Sequence, residues 1–158
     1  MNLKEYRISL GITIKEASNA TGVALRTYNR YEHDDNYGDP LKRASILSIL
    51  KEKYEVTEEK GLLTIELIKE HVTDILNKYK EKIDFCYLFG SYSKGYAKEN
   101  SDVDLCVSTT LTGLNFIGLI EELRQSLRKR IDFIRLSDLK NNIELLNEIM
   151  KDGIKIYG

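Results

Sequence analysis

Long apolar runs are missing from this 158-residue chain. None approaches the roughly 18 residues that a bilayer-spanning helix needs, and the opening MNLKEYRISL is too polar for a secretory signal peptide. A cytoplasmic location is therefore the expectation. Excess charge of one sign is missing too: Lys and Arg number 24 against 25 Asp and Glu, a net of −1. Bulk charge then draws in no nucleic acid, and any such contact must come from a local patch. Cysteine is reduced to Cys86 and Cys106, both inside apolar, strand-like runs and without the spacing of a zinc or redox site; they read as reduced core residues. The two histidines, His33 and His71, have no companion ligands, and neither an internal repeat nor a low-complexity segment is present. What remains is a mixed chain, 42% hydrophobic and 31% charged, of the kind that folds into one ordinary domain or two small ones.

Punctuation along the chain favours two. Thr13 and Glu16 fit a capping box, with Gly11 closing a first helix over residues 3–10 and Gly22 ending the second. A third helix follows over residues 24–31, then a polar loop from His33. Pro40, the only proline, opens a fourth that extends to Tyr54. Residues 55–61 carry few apolar side chains and no period, which marks a linker and gives domains over 1–57 and 58–158. Beyond it, Leu62, Ile65, Ile68, Val72, Ile75 and Leu76 recur at helical spacing in a segment expected to reach Lys82. Three β-type runs come next, at residues 83–89, 102–108 and 131–136, with helical stretches between and after them and a short last strand over residues 154–157.

The chemistry concentrates in YLFGSYSKGYAKENSDVDLCV, residues 87–107. On a strand, side chains two apart share a face, so Asp102 and Asp104 project together while Val103, Leu105 and Val107 point the other way into a core. Two such carboxylates repel unless a cation lies between them, and Mg²⁺, a hard cation that prefers oxygen ligands, answers that need. Gly90 lets a ligand approach the backbone. The turn through Ser91 would present N–H groups and a hydroxyl to a triphosphate, and Lys94 would add positive charge. A triphosphate beside a carboxylate pair is a nucleotidyl-transfer site, in which an acceptor hydroxyl attacks the α-phosphate and pyrophosphate leaves. A third acid is then wanted to complete metal binding and help deprotonate the acceptor; Asp132, in KRIDFIRL, is best placed.

These residues, Gly90-Ser91, Gly95, Ser101-Asp102-Val103-Asp104-Leu105 and Asp132, resemble the minimal nucleotidyltransferase pattern of the polymerase β superfamily over about residues 62–158. Lys94 stands where that family usually has arginine. The resemblance implies an α/β fold with a short mixed sheet flanked by helices. It implies Asp102, Asp104 and Asp132 as catalytic metal ligands, for two Mg²⁺ ions, and Gly90, Ser91, Lys94 and Ser101 as the nucleotide-binding set for ATP. Many small members of the family are antitoxins that transfer AMP from ATP to a tyrosine of a partner toxin, a HEPN-domain RNase. That function, and a hetero-oligomer with such a toxin or a homo-oligomer, is what the likeness implies here.

The stretch GITIKEASNATGVALRTYNRYEH resembles the helix-turn-helix of phage-repressor-type (XRE-like) regulators over about residues 1–56. Ala17 would let helices approach, Gly22 would make the turn, and Val23 and Tyr28 would be core. Arg26, Thr27, Asn29 and Arg30 would lie on or beside the DNA-recognition helix. Ala24 replaces the usual Ser or Thr cap of that helix. Nine Lys/Arg against eight Asp/Glu in residues 1–56 give little bulk attraction, so dimerisation or a partner would be needed for useful affinity. Binding to its own promoter is the expectation. Two rival readings stand beside the enzyme: a non-catalytic antitoxin and repressor that masks its partner by binding, and a transferase whose acceptor is a small molecule or an RNA end.

Overall fold

The structure, a computed structural model, describes residues 1–158, which divide into two compact units, Met1–Glu55 and Val56–Gly158. In the first, four helices are set by their ends: α1 (Leu3–Ser9), α2 (Ile14–Thr21), α3 (Leu25–His33) and α4 (Pro40–Tyr54). Thr13 and Glu16 form the expected reciprocal box, and Asn2 and Glu5 form a second at α1. Gly22 ends α2 at φ 68°, and Asp39 accepts the Leu41 N–H at 2.9 Å beside Pro40. Helix α3 starts one residue later than the pattern suggested and runs two further, to His33.

Ala17, Val23, Tyr28, Tyr31, Ile46 and Leu50 bury together with Leu3 as the core of this unit. Glu32 is buried with them, and Arg7 of α1 reaches it with N–H···O bonds of 2.6 and 3.2 Å while a third N–H bonds the Ile12 carbonyl at 2.9 Å. A buried carboxylate needs such a partner, so the pair fixes α1 against α3.

The second unit is built on a four-stranded mixed sheet in the order β3-β2-β1-β4, from β1 (Ile83–Phe89), β2 (Val103–Thr109), β3 (Ile131–Arg135) and β4 (Ile154–Tyr157). Strand β1 pairs antiparallel with β2 and β4, and β2 pairs parallel with β3. The helices are α5 (Ile65–Leu76), α6 (Gly90–Lys94), α7 (Gly113–Leu127) and α8 (Ile143–Asp152), capped by Thr64 and Asn142 at α5 and α8. Val103, Leu105 and Val107 point to one face of β2 and are fully buried in a core with Ile68, Val72 and Leu76 of α5 and Leu119, Leu123 and Leu127 of α7. The opposite face packs Phe89 and Cys106 against Leu139 and Ile149 of α8. Both cysteines are free and buried, and burial pushes their thiols up, as expected of core residues.

Two local readings needed correction, the end of α5 and the linker. Helix α5 stops at Leu76, its last buried residue, and tightens into a 3₁₀ turn over Asn77–Tyr79 so that the chain can reverse into β1; it does not reach Lys82. Helix α6 is only five residues long because Gly95, at φ 83°, ends it, which puts Lys94 on its last turn. Residues 57 and 60 form a tight bridge with N–H···O bonds of 2.8 and 3.3 Å, so this part of the apparent linker is folded as part of the second unit. No helix of the chain is long and apolar enough to cross a membrane.

Candidate active site

Strand β1 delivers the first component. It ends at Phe89, opposite Asp104 of β2, and the next residue, Gly90, turns at φ 73° into α6. A Cβ on Gly90 would stand 2.1 Å from Asp104 Oδ2, so glycine is required there twice: for the left-handed backbone and for the closeness of the carboxylate. Ser91 follows, half-buried, and its carbonyl accepts the Tyr96 N–H at 3.1 Å. Ser93 closes the turn by donating to the Gly90 carbonyl at 3.0 Å. Phe89, at the N-cap, offers no side-chain acceptor to the first turn of α6. Of the two tyrosines nearby, Tyr92 is buried and packs in the core, while Tyr96 is 62% exposed.

The parallel pairing of β2 with β3 delivers the second. It sets Asp104 directly beside Asp132 in register, on the face opposite Val103 and Leu105. Asp104 is half-buried, and its carboxyl is pushed up to about 6, first by burial and then by the negative charge of Asp132, Asp102 and Glu148. Asp132 is exposed at the end of this cluster. Asp102 lies one residue ahead of β2 and turns to the Arg130 Nε–H at 3.0 Å. As folded, no group of three or more His, Cys, Asp or Glu side chains makes a ready metal cage, since Asp102 faces Arg130 while Asp104 faces Asp132. The Asp104 and Asp132 pair nonetheless has the donor chemistry a hard divalent cation takes, oxygen only and with uncompensated negative charge. Asp102 would join it by exchanging Arg130.

The structure places the remaining nucleotide-set residues less simply. Lys94 is ion-paired with Glu148 of α8, a contact that raises its pKa and keeps it charged. Ser101 shapes the loop: its hydroxyl accepts the Lys98 N–H at 2.8 Å and its own N–H bonds the Lys98 carbonyl at 3.0 Å, which aims Asp102 into β2.

Three residues at this site escaped the sequence reading. Arg130 binds Asp102, Glu59 at 2.8 Å and the Asn100 carbonyl at 3.2 Å. It stands two residues before Asp132, so strand alternation could have flagged it. Glu148 precedes the buried Ile149 on α8, but nothing local in the sequence joins it to Lys94. Lys129 is fully buried and donates to the carbonyls of Thr57 at 2.6 Å, Lys60 at 3.2 Å and Glu99. It thereby clamps the turn of residues 57–60 to the loop that carries Asp102; burial lowers its pKa.

In the first unit, Arg26, Asn29 and Arg30 are exposed on α3 and Thr27 is partly so, while Tyr28, Tyr31 and Glu32 take the buried side. Arg30 lies over the Tyr37 ring at 5.1 Å from its centroid. Ala24 at the N-cap of α3 makes no side-chain bond, as its methyl dictates.

Comparison with known proteins agrees with both halves. Residues 70–158 match the family described as polymerase beta nucleotidyltransferase, and residues 3–40 match a helix-turn-helix family. A protein adenylyltransferase MntA of Thermococcus cleftensis is 37% identical over 87 residues, covering 52% of this chain and 88% of the relative. The protein adenylyltransferase MntA of Shewanella oneidensis is 27% identical over 95 residues, covering 59% and 67%. Among solved structures, a crystal structure of a toxin-antitoxin with AMP-PNP superposes with a TM-score of 0.50 at 26% identity, covering 57% of this chain and 73% of that one.

Proposed function

The chain belongs to the polymerase β nucleotidyltransferase family, and from that footing we propose that it transfers AMP from ATP to a tyrosine hydroxyl of a HEPN-domain toxin, as the antitoxin of the pair. The observation that carries the reading is the register of Asp104 with Asp132, directly beside the Gly90 turn. The names of the relatives, protein adenylyltransferases, and of the toxin-antitoxin structure holding AMP-PNP support the nucleotide and the partner class.

In this reading the Gly90-Ser91 turn holds the triphosphate, with Lys94 and the Ser101 loop at its side. Asp102, Asp104 and Asp132 would hold Mg²⁺, which when bound neutralises phosphate charge and polarises the α-phosphate. Asp132, exposed at the edge of the cluster, accepts the proton of the incoming hydroxyl. The hydroxyl oxygen forms its bond to the α-phosphorus. The bond from that phosphorus to the bridging oxygen breaks, and pyrophosphate leaves with the electron pair. Arg26, Thr27, Asn29 and Arg30 of α3 supply contacts to promoter DNA, by which the chain regulates its own expression.

The test is incubation with α-labelled ATP, Mg²⁺ and a HEPN-domain toxin as the partner. Label on a partner tyrosine, found by peptide mass spectrometry and lost with Asp104→Asn, is the expected result. Neutralisation of the toxin by a protein lacking all three aspartates would favour masking by binding instead.

A further inference from the structure

Helix α8 lies on the carboxylate face of the sheet. Its Ile149 packs with Phe89, Cys106 and Leu139, which fixes the helix, and the preceding residue, Glu148, is carried to the site. There it does two things: its charge helps push up the Asp104 carboxyl, and its own carboxylate takes the ammonium of Lys94. The pair is 27% and 37% exposed at its side chains, so it sits at the mouth of the site where water and ligands reach it. A fourth carboxylate beside Asp102, Asp104 and Asp132 adds repulsion to an already crowded site and contributes nothing to holding a triphosphate. It does engage the one cation that the turn offers to phosphate.

Resting on the nucleotidyl-transfer reading, we infer that Glu148 competes with the triphosphate for Lys94 and so sets the affinity of the site for nucleotide. In the nucleotide-free protein Lys94 is held by Glu148. A triphosphate seated on the Gly90-Ser91 turn carries more negative charge than one carboxylate and takes the ammonium over, leaving Glu148 to water. Exchange of this kind weakens binding of a nucleotide that takes the ammonium by the free energy of the broken pair. A monophosphate with too little charge to break the pair leaves it in place and escapes that cost, so the effect of Glu148 falls chiefly on the triphosphate. A strut between α6 and α8 would have the same contact and none of these consequences.

The experiment is calorimetric titration of AMP-PNP and, separately, AMP, each with Mg²⁺, into the full-length parent, Glu148→Gln, Lys94→Met and the double variant, with a thermal melt of each. Glu148→Gln should tighten AMP-PNP binding about threefold, in line with the loss of one solvent-exposed ion pair. It should tighten AMP by no more than that. Lys94→Met should weaken AMP-PNP binding, and in that background Glu148→Gln should change nothing. Unchanged or weaker binding by Glu148→Gln overturns the inference, as does equal tightening with and without Lys94, which would make Glu148 a source of general repulsion only. If Glu148→Gln is poorly folded, Glu148→Asp, which shortens the arm, must show the same direction. A folded parent that binds neither nucleotide would instead defeat the nucleotidyl-transfer reading itself, and this inference with it.

Discussion

Replacing Asp104 with asparagine should stabilise the second unit while abolishing transfer, and the two effects share one cause. The carboxyl titrates at about 6 where an unperturbed aspartate stands at 3.8, because burial and the charges of Asp132, Asp102 and Glu148 all disfavour its ionised form. A group whose folded pKa is raised favours the fold most when protonated. The penalty is absent below pH 3.8, grows as the folded group is forced to ionise, and is fully present above about pH 6. A shift of this size corresponds to about 3 kcal/mol for a group wholly removed from water; Asp104 is only half-buried, and solvent screening reduces that to about 1–2 kcal/mol. Asparagine keeps the shape and removes the charge. In metal-free buffer, scanning calorimetry should find the transition of the Val56–Gly158 unit the same in parent and variant near pH 3, and about 5–9 °C higher in the variant at pH 8. Parallel pH profiles, or a variant less stable than the parent at pH 8, would refute the reasoning.

Three further outcomes follow from other contacts. Gly90→Ala should lose transfer and about 2 kcal/mol or more of stability in urea unfolding, because its Cβ would stand 2.1 Å from Asp104 Oδ2 at a φ of 73°; near-parental activity would show that the turn relaxes freely. Lys129→Met should cost about 2–4 kcal/mol by leaving the carbonyls of Thr57, Lys60 and Glu99 without their donor, and a loss below about 0.5 kcal/mol would mean that water replaces the ammonium. The double variant Arg26→Ala with Arg30→Ala should weaken promoter binding in fluorescence anisotropy and reduce the slope of log K against log salt by about 2, whereas an unchanged slope would remove both residues from the DNA contact.

What the sequence disclosed and what it withheld divide along the range of the forces involved. Caps and alternation act over two to four residues, so Thr13 with Glu16, Gly22, Pro40 and the inward set Val103, Leu105 and Val107 could be read directly. The Gly90 turn and the placing of Asp104 on the face opposite Val103 and Leu105 were legible for the same reason, whereas Asp102 stands just ahead of β2 and turns to Arg130. The end of α5 was not: residues 77–82 are mostly polar and carry no period either way, and the stop is imposed by the need to reverse into β1. Nor were the partners of the site residues, since Arg130 meets Asp102 across 28 positions and Lys94 meets Glu148 across 54. Lys129 is the extreme case. A lysine between two arginines reads as a solvated surface charge, yet the chain buries it, because three carbonyls converge where its ammonium ends.

Those long-range partners change what binding at this site must involve. Asp102 is held by Arg130, Arg130 is also held by Glu59, Lys94 is held by Glu148, and the Asp104 carboxyl resists ionisation. Asp102 and Lys94 are thus each compensated from within, by groups that a metal and a triphosphate would have to replace, while Asp104 and Asp132 face each other in register. Affinity then depends on the difference between two sets of charge contacts, and either set alone overstates it. The same bonds explain why the turn of residues 57–60 folds with the second unit. Glu59 and the Thr57 and Lys60 carbonyls are the far ends of Arg130 and Lys129, and those two side chains in turn hold Asp102 and the loop that carries it. A segment that reads as a spacer by composition is part of the scaffold that positions the first acid of the site.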